Sequence, residues 1–130
     1  MRIIIAGGRD FKDYGYLKRK VVETFGVLSE KGYIRYNNGI TEITIVSGKA
    51  KGADELGEKF TKEFQSEFIK LSLKEIPANG DGLNVEMIKY ANKSPILGVL
   101  IAFWNGTSKY TESVIDLANK YNMKTFIYNY

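Results

Sequence analysis

Apolar and polar positions recur along the chain with two periods, and the changes of period mark the elements. Met1 to Ala6 (MRIIIA) is a short apolar, β-branched run that stops at Gly7-Gly8, the mark of a buried strand entering a tight loop. From Asp13 the period lengthens. Leu17, Val21 and Leu28 share one helical face with Phe25 beside them, charges fill the other side, and Gly32 ends the run, which predicts a helix. Tyr33 to Glu42 (YIRYNNGITE) places Asn38-Gly39 between strand-forming residues; that dipeptide accepts the positive φ of a tight turn, so a small β-hairpin is predicted.

Ile43 to Ser47 is a second apolar strand, followed by a glycine loop and a helix with Ala53, Leu56, Phe60 and Phe64 on one face. Phe68 to Leu73 reads as a third strand. The polar stretch Glu75 to Asn84 leads to a short helix carrying Met87, Ile88 and Ala91. Ile96 to Trp104 is a fourth strand, apolar on both faces; a helix with Val114, Leu117, Ala118 and Tyr121 and a last strand, Lys124 to Tyr128, close the order. Parallel neighbours need helical crossovers, so strands alternating with helices predict an α/β, Rossmann-like three-layer domain with a parallel sheet of about five strands and the hairpin as an insertion.

In such sheets ligands bind outside the carboxyl ends of the strands, and three loops there carry suitable residues. In Gly7-Gly8-Arg9-Asp10-Phe11 the glycines admit close backbone approach and Arg9 offers a planar fork to a phosphate. Ser47-Gly48-Lys49-Ala50-Lys51-Gly52-Ala53-Asp54 brings amides to a helix start, where an anion is favoured. Asn105-Gly106-Thr107-Ser108-Lys109-Tyr110-Thr111 adds hydroxyls and further amides, and Trp104 before it offers a ring on which a base stacks. Each loop alone is also an ordinary turn, Asp54 also reads as a surface acid in a first helical turn, and Trp104 also reads as a core aromatic. Neither the Walker A pattern nor GxGxxG is present, against an ATPase and a dinucleotide dehydrogenase.

Composition narrows the chemistry. The 130 residues, 44% hydrophobic and 26% charged, suit one domain spanning the whole sequence, without linker or repeat. The longest apolar stretch falls well short of the ~20 residues that cross a bilayer, and the first residues lack a signal-peptide layout, so a cytoplasmic protein with no membrane partner is expected. With no His and no Cys, disulfides, thiolate nucleophiles, imidazole bases and the usual zinc ligand sets are excluded; no metal or cofactor is expected. The formal charge of +4, from 19 basic and 15 acidic residues, is a mild field that suits an anionic ligand, while its dispersal along helix faces disfavours nucleic acid as the partner.

GGRDF near the N-terminus, SGKAKGADELGEKF in the middle, IPA followed by Asn84 and Met87, and IAFWNGTS before a helix together resemble the SLOG superfamily, in its short YspA-like branch found in bacteria and phages. The likeness covers most of the chain in order. It implies a Rossmann-like fold that binds nucleotides, nucleotide-derived signals or nucleic acid at the glycine loops, and a tendency to assemble. Leu83 stands where the branch usually has Arg, and Tyr110-Thr111 replace its usual Gly-Thr. In the Lonely Guy phosphoribohydrolases of this superfamily a catalytic Glu follows the Thr by three residues; the corresponding position here is Val114.

The leading expectation is therefore a non-catalytic binding protein for a nucleotide or nucleotide-derived signalling molecule, such as an ADP-ribose derivative or a cyclic oligonucleotide. The resemblance also makes a phage protein that sequesters a host immune signal a reasonable role. A hydrolase of N-glycosidic or phosphate-ester bonds, using Asp54 or Glu112 with Arg9, is the alternative; nucleic-acid binding is the third. A homo-oligomer is expected, with the Tyr33 to Glu42 hairpin contributing to assembly.

Overall fold

Alternate residues of each central strand go to opposite layers, and the sequence supplies apolar side chains for both. The computed structural model describes residues 1–34, 39–77 and 85–130. Five strands, β1 (Arg2–Gly7), β2 (Thr41–Ser47), β3 (Ile69–Glu75), β4 (Gly98–Trp104) and β5 (Lys124–Asn129), form one sheet in the order β3-β2-β1-β4-β5 with every pairing parallel. Helices α1 (Tyr14–Glu30) and α2 (Ala53–Glu63) cover one face, and α3 (Val85–Ala91) and α4 (Lys109–Lys120) the other. Ile3, Ile5, Val99, Ile101 and Phe103 face the first layer, while Ile4, Ala6, Leu100 and Ala102 face the second. Each large side chain so enclosed contributes roughly 1.5–3 kcal/mol.

The predicted α/β, Rossmann-like fold with its five parallel strands is the observed one. Its helix ends follow local chemistry: Asp13 caps α1 by accepting from the Tyr16 N–H, and Ser108 caps α4 by accepting from the Thr111 N–H. The hairpin needs revision at one end. Thr41 and Glu42 belong to β2 and pair in parallel with Ile69 and Lys70 of β3, because that ladder satisfies their backbone groups. At the other end Ile34 is buried and its N–H bonds the Leu28 carbonyl at 3.3 Å, so the chain leaves α1 by a turn packed on the helix. Of the predicted Asn38-Gly39 turn, Asn38 lies outside the described residues, while Gly39 has the positive φ, 97°, that such a turn uses. No helix among those described is long and apolar enough to cross a membrane.

Candidate functional site

The strand order reverses at β1. From it the chain runs by α1 to β2 on one side, and β4 lies on the other, which opens a crevice outside the carboxyl ends of β1 and β4. The first two glycine loops interlock beside it. The Gly8 N–H donates to the Phe103 carbonyl at 3.1 Å, tying the first loop to β4, and the Gly8 carbonyl accepts from the Ala53 N–H at 3.3 Å, tying it to α2. A Cβ on Gly7 would lie 2.4 Å from the Phe103 carbonyl oxygen. Gly52, at φ 81°, lies so close under the first loop that a Cβ would stand 2.2 Å from the Gly8 carbonyl oxygen and 2.8 Å from the Arg9 Cα. These glycines are needed for the loops to touch each other.

The second loop is closed by its own acids. Asp54 Oδ2 accepts from the Ala50 N–H at 3.3 Å, and Ser47 Oγ accepts from the Lys49 N–H at 3.1 Å while donating to Glu58 Oε2 at 2.7 Å. The Lys49 ammonium is held by Glu58 and Glu75, both at 3.1 Å. Amides expected to face a phosphate thus already have an internal acceptor, and Lys49 lies among carboxylates. Asp54 is fully buried. Burial, and secondarily the nearby Glu58, push its carboxyl up to about 7 against the opposing pull of the Ala50 and Gly48 N–H groups and Arg9.

Asp54 Oδ1 and the Tyr110 hydroxyl have no hydrogen-bond partner among the described residues. Asp54 Oδ2 and the Tyr110 hydroxyl lie 3.0 and 3.6 Å from where a Gly48 Cβ would sit, so Gly48 is the spacer between α2 and α4. Burial and the Asp54 carboxylate raise the Tyr110 phenol to about 12, which keeps its proton in place at neutral pH. Over the Tyr110 ring, 5.8 Å from its centroid, stands the guanidinium of Arg9, an exposed residue.

The third loop is organised by Asn105, whose Oδ1 accepts from the Thr107 N–H and hydroxyl and from the Ser108 N–H. Gly106 and Thr107 are exposed. Thr111 is fully buried beside Ser108 Oγ and serves the α4 cap. Trp104 is half-buried against the α3–α4 layer, its indole N–H donating to the Ser108 carbonyl at 3.1 Å. Phe11 is 2% exposed, with its ring stacked 4.9 Å from that of Phe103; it anchors the first loop from within. Asp10 is exposed and accepts from the Tyr130 hydroxyl. Asn84 lies outside the described residues. Val114, at the position of the phosphoribohydrolase acid, is buried in the core, and Glu112 is paired with Lys109 at 3.7 Å.

Of the expected residues, Gly7, Gly8, Arg9, Gly48, Gly52 and Asp54 come together. Sequence reasoning missed Glu58 and Tyr130 as parts of this neighbourhood, and named Tyr110 in the third loop without the place of its ring beside Arg9. Asp54 and Glu58 stand four residues apart on one helix, a spacing that puts two acids on the same face. Tyr130 had no local signal; only the fold brings it over Gly8. Comparison with protein-family models, with curated proteins and with solved structures gives no match.

Proposed function

We propose that the chain binds a nucleotide or nucleotide-derived signalling molecule, such as an ADP-ribose derivative or a cyclic oligonucleotide, and does not turn it over. The observation that carries this reading is Arg9: an exposed guanidinium beside the Tyr110 ring, on a glycine loop at the reversal of strand order. There a phosphate meets a bidentate donor and a sugar or base meets an aromatic wall. The resemblance to the SLOG superfamily supports the ligand class and brings with it the role of a phage protein that sequesters a host signal, as a homo-oligomer in the cytoplasm.

Hydrolysis is the second reading, favoured by Asp54, whose carboxyl at about 7 is tuned as a general acid would be. Its full burial argues against it, since a substrate must come within hydrogen-bond reach. Titrating the protein with a panel of nucleotides, ADP-ribose and cyclic dinucleotides while following heat and product separates the two. Saturable heat without product is the expected result; turnover of any of them supports the hydrolase, and no binding at all removes both.

A further inference from the structure

Beside the crevice, on the α1 side of the first loop, lies a second hollow of about 370 Å³ between the start of α1 and the end of β5, at the lower end of the size range of small-ligand pockets. We propose that it is a guanine subsite; this rests on the nucleotide-binding reading above.

The hydrogens of the hollow are directional. Its two phenols are committed to protein acceptors: Tyr130 donates to Asp10 Oδ1, and Tyr16 donates to the Asn129 carbonyl at 2.9 Å. Burial and the bond to Asp10 raise the Tyr130 phenol to about 12, so it stays a donor committed to Asp10. Asp13 gives one oxygen to the Tyr16 N–H at 3.0 Å, and this cap occupies the start of α1 that an anion would otherwise use. Each carboxylate keeps a second oxygen with no protein partner among the described residues. The hollow therefore offers acceptors, beside the edge of Phe11 and the rings of Tyr16 and Tyr130.

Two carboxylates repel a phosphate and attract a planar group rich in N–H. Guanine has adjacent donors, its N1–H and 2-amino group, which meet a carboxylate as a pair, and Lys12 in the same lining brings a donor for its O6. Adenine turns a ring-nitrogen acceptor toward the carboxylate instead. Tyr130, the exposed ring of the lining, is open to either purine, so the acids and Lys12 decide between them.

Calorimetric titration with GMP, IMP and AMP tests this. GMP is expected to bind at least about tenfold more tightly than AMP, with IMP, which lacks the 2-amino group, in between. In Asp10→Asn, which keeps an acceptor for Tyr130, and in Asp13→Asn, which keeps a helix cap, the GMP-to-AMP ratio should fall toward one. In Arg9→Ala all affinities should drop while the ratio persists. Equal affinity for GMP and AMP, or a ratio untouched by both acid variants, overturns the guanine subsite and leaves nucleotide binding standing. Failure of all three to bind overturns the subsite, and the wider panel above then decides the parent reading.

Discussion

The loops after β1 and β2 start from the same ingredients, glycines, a basic residue and a following helix, and they end in opposite states. After β2 the chain supplies its own acceptors: Asp54 lies buried under the loop, and Lys49 is neutralised by Glu58 and Glu75. After β1, Arg9 is exposed over the Tyr110 ring and has no carboxylate bonded to it among the described residues. A glycine loop at a helix start is therefore an anion site only if no acid in the first turn of that helix folds back on it. In the proposed reading the second loop acts as the frame and the first as the contact surface.

The largest effect expected from this contrast is a pH dependence of stability that belongs to Asp54. Its carboxyl keeps a proton up to about pH 7 in the folded chain but releases it near 3.8 when exposed. Between those values the folded state holds the extra proton, so Asp54's contribution falls as pH rises from about 4 to 7 and is flat above. The loss is on the order of 4 kcal/mol. Urea unfolding of the wild type and of Asp54→Asn at intervals of pH isolates it, since the variant should lack that slope; equal slopes would mean that Asp54 is solvated and the second loop open.

Next in size is Gly52→Ala. Its backbone, φ 81° and ψ −125°, lies where side chains are strained, and the new Cβ would strike the Gly8 carbonyl. A loss of about 3 kcal/mol in urea is expected. Because the clash moves the first loop, whatever population stays folded should also bind ligand less well. Normal binding would uncouple the frame from the contact surface.

Arg9→Ala reverses the pattern. The residue is exposed, so stability should hold, while affinity for a phosphorylated ligand falls by about 1.5–3 kcal/mol, the range for bonds to a charged group. Lys49→Ala, by contrast, should change affinity little, because its ammonium already has two partners. If Lys49 proves the more sensitive in calorimetry, the roles of the two loops are exchanged.

The sheet was legible in the sequence because each central strand carries apolar residues for two layers, and the helices between them show their faces by spacing. The order β3-β2-β1-β4-β5 was not legible: right-handed crossovers decide on which face each helix lies, not where the strand order reverses. The site was legible only as a set of loops. Which amides are free depends on where Asp54 and Ser47 turn, and which rings line the crevice depends on Tyr110 and Tyr130, brought in by α4 and β5 from more than a hundred residues after Gly8 in the chain. Phe11 and Thr111 were read as contacts because they flank loop glycines; the packing of Phe11 on Phe103 and the part Thr111 plays in the α4 cap were not legible.

The smallest effect concerns Trp104, which closes β4 at the edge of the crevice. Its indole N–H is held by the Ser108 carbonyl, and its ring is half-buried against the α3–α4 layer. Trp104→Phe keeps a ring but removes that bond; the Ser108 carbonyl still accepts from the Glu112 N–H at 3.1 Å. The cost should therefore be about 1 kcal/mol of stability. If the ring only supports the third loop, nucleotide affinity will stay within about twofold and the wild-type emission will not change on titration. Stacking of a base on the exposed part of the ring would instead give a saturable change in emission and a loss of binding in Trp104→Ala of up to about 3 kcal/mol. The bond to Ser108 favours the first outcome, because it ties the indole to the loop it supports and leaves ligand contact to the Arg9 side of the crevice.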